Sequence, residues 1–152
     1  MSVSANAASA GHPVASPVEI PVVRPDDLGC LLYLPCHPES AAIARKLVTA
    51  ALIAWSLDHL ADVAELLVTE LVANAAKHTG CSRISVSVDR QEASVWVGVR
   101  DSSRALPCHT EPTDEAESGY GLGLVECLSF RWGVDWAPFG KWVWFALRAA
   151  TP

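Results

Sequence analysis

No run of apolar residues in this chain approaches the ~20 that a membrane-crossing helix needs. The N-terminus lacks a basic segment followed by an apolar one, so no secretory leader is expected and the expected compartment is the cytoplasm. There is no CxxC pair, and the five cysteines (Cys30, Cys36, Cys81, Cys108, Cys127) are odd in number. That combination argues against a closed disulfide framework and for reduced thiols. Two Cys-His dipeptides, Cys36-His37 and Cys108-His109, lack the usual zinc spacings, and adjacent side chains seldom reach one ion. Positive charge is scarce: 11 Lys and Arg stand against 17 Asp and Glu, for a net charge of −6 and a pI near 5.2. Such a balance argues against a direct nucleic-acid surface. Internal repeats are absent as well. What is present is 152 residues, 51% of them hydrophobic, at a mean hydropathy of +0.25. That suffices for one domain with a sizeable core, not for two.

Residues 1–27 are rich in Ala, Ser, Pro and Val without periodicity, and read as a disordered or loosely attached tail. The domain is expected over 28–150. Leu28 to Cys36 reads as a short apolar strand. Pro38 and Glu39 suit the first turn of a helix that runs to about Trp55. Asp58 is a candidate N-cap for a second helix reaching about His78, with Gly80 at its end. Ile84, Val86 and Val88 alternate with serines, and Val95, Val97 and Val99 alternate with Trp96 and Gly98, which makes a hairpin around Gln91-Glu92. From Asp101 to Ser118 the pattern is lost, and a loop of that length in a compact domain is usually functional. A short helix over Leu122 to Phe130 and a final hairpin (Arg131 to Trp136, Lys141 to Leu147) complete the chain. The order predicts an α+β domain, a two-layer sandwich with helices on one face of a mixed, mostly antiparallel sheet.

Within the second helix, Glu70 and Asn74 lie four residues apart and so point the same way, on a stripe whose earlier members, Leu67 and Val63, are apolar. A carboxylate and an amide therefore interrupt a face that packing would keep apolar. Burying an unpaired polar group costs about 1–3 kcal/mol, and more when it is charged. A bound ligand or ion would offset that cost. A second signal is Gly119-Tyr120-Gly121-Leu122-Gly123-Leu124, where the long loop ends and a helix begins. Glycines let backbone amides approach a phosphate, and a helix start favours negative charge. This is neither a dinucleotide fingerprint, which follows a strand, nor a P-loop, since no Gly-Lys-Ser/Thr follows. A third is Asp101, at the end of the Val95–Val99 strand. It is either a turn former or an acceptor for an exocyclic amine such as that of adenine.

These three signals occur in a fixed order: Glu-x-x-x-Asn on a helix, a hairpin ending in Asp, a loop, then Gly-x-Gly-x-Gly-Leu. That order resembles the GHKL ATP-binding (Bergerat) fold. More closely, Val99-Arg100-Asp101-Ser102-Ser103 with Leu106-Pro107, Gly119 to Val125, Trp132-Gly133-Val134 and Gly140-Lys141 resemble the small bacterial anti-sigma factor serine/threonine kinases, stand-alone relatives of histidine-kinase ATPase domains. The resemblance covers about residues 28–150. It implies ATP and Mg²⁺ as cofactors, with Asn74 ligating the metal and Glu70 as general base or orienter of the attacking serine hydroxyl. It also implies Asp101 as reader of the adenine amine, and Gly119, Gly121, Leu122 and Gly123 as the phosphate-wrapping loop. Residues 104–118 would be a lid over the nucleotide, and Lys77 would either neutralise phosphate charge or be solvated.

Three departures stand out from the family's pattern. Ser102, Ser103 and Arg104 replace a Gly-rich box. Tyr120 replaces a frequent arginine. Trp142 replaces a threonine that assists the adenine aspartate, and its bulk is expected to narrow the adenine pocket. Six tryptophans occur, four of them in the final hairpin. Trp132 shares a strand face with Trp136, and Trp142 shares one with Trp144, while Val143, Phe145 and Leu147 form the opposite face of the last strand. Either the tryptophan face is a homodimer or partner surface, or it is the core. The resulting expectation is an anti-sigma factor that phosphorylates a serine on an antagonist protein and sequesters a sigma factor. The alternative is a catalytically weak or nucleotide-independent binding module of the same fold.

Overall fold

A computed structural model describes residues 18–78, 82–101, 122–138 and 140–149. In chain order these form β1 (Gly29–Pro35), α1 (Ser40–Ala54), a 3-10 turn (Asp58–Leu60), α2 (Ala61–His78), β2 (Arg83–Arg90), β3 (Ser94–Asp101), α3 (Leu122–Leu128), β4 (Arg131–Ala137) and β5 (Gly140–Arg148). Gly80, the expected cap of α2, lies outside the described residues, as do 102–118, Gly119, Tyr120 and Gly121.

The strands make one sheet in the order β1-β2-β3-β5-β4. Each neighbouring pair is antiparallel, in keeping with the mostly antiparallel sheet that the sequence pattern predicts. The reason is which strand of the final hairpin meets β3. β4 runs parallel to β3, but β5 lies between them and pairs antiparallel with both. Helices α1 and α2 pack on one face, so the α+β two-layer arrangement holds.

Local chemistry explains the element ends. α1 starts at Ser40, two residues beyond Pro38, because the preceding turn is closed by the Ser40 hydroxyl donating to the Pro35 carbonyl at 2.7 Å. Its end is a Schellman turn: Ser56 adopts φ 59, and the Leu57 N–H reaches the Leu52 carbonyl at 2.7 Å. Asp58 opens the 3-10 turn that leads into α2.

Registers fix the faces. Ile84, Val86, Val88, Val95, Val97, Val99, Val143, Phe145 and Leu147 turn toward the helices and are buried there with Leu47, Leu52, Leu67, Val68 and Leu71. Of the stretch expected to be a tail, residues 18–27 lie along the domain. Val18, Ile20 and Val23 pack on the core, and the Trp55 indole N–H donates to the Asp27 carbonyl at 2.9 Å.

Candidate functional site

The direction of α2 places the polar pair. Near its start, Leu60 and Val63 line a groove with Leu128, Ser129, Phe130 and Leu147. Near its end, the Cys36 thiol donates to the Ala75 carbonyl at 3.7 Å. α2 therefore runs from the Leu147 end of the sheet to the end where β1 finishes. At that second end the registers align Pro35 with Arg83, Ile84 with Asp101, Asp101 with Lys141, and Lys141 with Trp136. Asn74 and Asp101, 27 positions apart in the numbering, are thus carried to one end of the sheet by different elements.

Helical periodicity orients the stripe within that end. The side of α2 facing α1 is marked by Arg45 donating to Thr69 at 2.9 Å and by Thr49 donating to Glu65. Val63 faces the α3 side, and Leu67, Glu70 and Asn74 follow it at helical spacing. Leu67 is fully buried, Asn74 is 6% exposed and Glu70 is half-buried. The polar interruption read in the sequence is therefore a real one. An amide in the closed part of the interface and a carboxylate at its rim face the side from which α3 approaches. Lys77 is exposed.

Asp101 ends β3 on the helix-facing side and is 4% exposed. Its Oδ2 lies 2.7 Å from Lys141 Nζ. A carboxylate can accept from several donors at once, so this pairing does not by itself exclude a further donor such as an exocyclic amine. Gly140 makes the pairing reachable. It adopts φ +151, and a Cβ added there would fall 2.0 Å from the Asp101 carbonyl oxygen. Reading the sequence missed Lys141 as a member of this site. The signal available was the Gly-Lys start of the last strand, but its meaning depends on a register that sequence does not give.

Of the glycine box, Leu122 and Gly123 are described. Leu122 packs against the core and anchors α3. Gly123 is exposed, and a Cβ built on it meets no atom within 4 Å. Glycine in a helix costs about 0.5–1 kcal/mol relative to alanine, and no described atom requires it here. No described residue fills the space beside it.

Trp142 corrects an expectation. Its bulk does not narrow a pocket beside Asp101. The pleat instead sends it to the helix-free face, where its register partner is Arg100 and its ring meets Trp96 edge-on at 5.6 Å. The residue beside Asp101 on the same face is Lys141. The two tryptophan pairs also part company. Trp132 and Trp136 lie on the helix-facing side of the sheet, whereas Trp142 and Trp144 lie on the other.

The oxygen chemistry suits magnesium. Among the described residues there is no group of three His, Cys, Asp or Glu able to cage a metal. Mg²⁺ characteristically uses one or two protein oxygens and completes its shell with phosphates and waters. One amide oxygen from Asn74 matches that habit. Among the described residues no helix is long and apolar enough to cross a membrane.

Comparison with curated proteins gives no match. A family model described as the histidine kinase-like ATPase domain matches residues 34–147. That span runs from the end of β1 to the end of β5 and takes in Glu70, Asn74, Asp101, Gly123 and Lys141. The chain belongs to the histidine kinase-like ATPase domain family, and ATP binding is what that membership implies.

Proposed function

We propose that this protein is an ATP-dependent serine/threonine kinase that acts as an anti-sigma factor. It would phosphorylate a serine on a small antagonist protein and hold a sigma factor when the antagonist is absent or phosphorylated. The observation that supports this reading best is the gathering of Glu70 and Asn74, from α2, with the buried Asp101 of β3 at one end of the sheet. The family match and the ordered boxes supply the rest of the support.

Each residue has a role in this reading. The Asn74 amide oxygen would hold Mg²⁺, which supplies neutralisation of phosphate charge. Glu70 would take the proton of the serine hydroxyl as its oxygen bonds to the terminal phosphorus of ATP and the bridging P–O bond breaks to release ADP. A half-buried rim position gives its carboxylate access to a protein substrate. Asp101 would accept a hydrogen bond from the adenine amine. Gly119, Gly121 and Gly123 would let the backbone close on the phosphates, and Leu122 would fix α3 behind them. Lys77, exposed at the end of α2, would add a positive charge near the phosphates.

A catalytically weak or nucleotide-independent binding module is motivated by Trp142 as an obstruction and by Tyr120, which lies outside the described residues. The register that turns Trp142 to the other face of the sheet weighs against the first of these. The deciding experiment is incubation of the full chain with Mg-ATP and a cognate antagonist. Phosphoserine should form on the antagonist, and Glu70→Gln should slow its formation by about 10²–10⁴-fold. No transfer to a verified partner would overturn the kinase assignment.

A further inference from the structure

Trp136 has no part in the reading above, yet it is the most exposed aromatic side chain among the described residues, at 61%. One exposed apolar side chain is ordinary on a protein surface. The place of this one is not. Register aligns Asp101 of β3 with Lys141 of β5, and Lys141 with Trp136 of β4, so the three form one row across the helix-facing side of the sheet. Two strand spacings, about 10 Å, separate the ends of that row. Lys141 Nζ turns to Asp101 Oδ2 at 2.7 Å, so the lysine's apolar stem makes the middle of the row. Along β4, the side chains on this face open progressively toward the row. Trp132 packs against the core, Val134 is 40% exposed, and Trp136 is more exposed still. β4 is also the edge of the sheet, so no further strand walls the indole in.

We propose that the Trp136 indole is the surface on which the purine base stacks, the outer wall of a base site whose inner wall is Asp101. This rests on the reading that Asp101 accepts from the base. With its exocyclic amine at Asp101, the ring system extends over the Lys141 stem toward β4 and meets the indole there. The two walls divide the work. Every base has a π-face, so stacking on Trp136 adds affinity without choosing among bases, and the choice is left to the hydrogen bond at Asp101. A tryptophan suits the outer wall because it offers a large rigid surface at low cost in side-chain entropy. Stacking also takes an exposed indole face out of water.

The test is calorimetric titration of the full chain with Mg-ATP, with tryptophan fluorescence read on the same samples. Wild type, Trp136→Ala and Trp136→Phe are compared, and thermal melts establish that each is folded. Trp136→Ala should weaken Mg-ATP binding by about 5–150-fold, the weight of one base stacked on an aromatic ring. Trp136→Phe keeps a ring and should stay within about threefold of wild type. Wild type should also lose tryptophan emission on binding Mg-ATP, and the Phe variant should lack most of that quench. Where the Ala variant does not fold, Trp136→Val keeps a strand-favouring residue on β4 and should show the same weakening. A folded Ala or Val variant that binds Mg-ATP as tightly as wild type would overturn this inference alone, and so would a Phe variant that keeps the full quench. Failure of wild type to bind Mg-ATP would overturn it together with the site reading.

Discussion

The two faces of the sheet are built from the same strands and alternate residue by residue, yet they have different contents. The covered face carries Val95, Val97, Val99, Val143, Phe145 and Leu147, then ends in Asp101 and Lys141. On the open face lie Trp96, Gly98, Arg100, Trp142 and Trp144. There the tryptophans serve one another: Trp96 stacks on Trp144 at 6.1 Å and meets Trp142 edge-on, while its ring lies over Gly98. Trp144 in turn covers Gly133. The open face thus shields itself with large rings laid over glycines, and the covered face is shielded by helices. A polar group at the end of the covered face sits in a roofed site. The same group one residue along would face the tryptophan layer instead. The period of two therefore decides which departures from a family pattern touch the site and which do not.

Four substitutions can break or sharpen this contrast. The largest effect is expected for Phe145→Ala, which empties a fully buried position on the covered face. It should lower the urea-unfolding free energy by about 3–5 kcal/mol. Next is Asn74→Ala, which should leave the fold standing but remove the stabilisation by Mg-ATP. In wild type that stabilisation is about 2.7 kcal/mol at a hundredfold excess over Kd, read as a thermal shift. Gly98→Ala comes third. Its new Cβ would lie 2.3 Å from the outer edge of the Trp96 ring, so the ring must swing away. A cost of about 1–3 kcal/mol is expected, with a change in tryptophan fluorescence and no loss of nucleotide binding. Smallest is Trp142→Thr, which introduces the threonine that the resemblance leads one to expect there. It should cost about 0.5–1.5 kcal/mol of aromatic contact and leave Mg-ATP affinity unchanged. A marked gain in affinity would place Trp142 at the site after all.

Much of the fold and of the site is legible in the amino-acid sequence. The alternation of Val95, Val97 and Val99 locates β3, and the spacing of Glu70 and Asn74 marks a polar break in a packed helix, with the amide 6% exposed. Direction and register are what local pattern hides. Alternation says that Trp142 and Val143 oppose each other but not which one faces the helices, and that choice decides whether Trp142 obstructs the base. The Asp101–Lys141 pair joins residues 40 positions apart through a strand order, β3 beside β5, that local pattern cannot supply. The pairing of β5 with both of its neighbours also makes the sheet wholly antiparallel, for the same reason.

The central claim is that nucleotide binds at the covered end of the sheet and not on the tryptophan face. Backbone amide and indole resonances followed during titration with Mg-ATP test it most directly. The account predicts that shifts concentrate at Asn74, Asp101, Gly123 and Lys141, with the Trp96 and Trp144 indole signals nearly still. Saturating shifts at those indoles, with Asn74 and Asp101 unmoved, would contradict it.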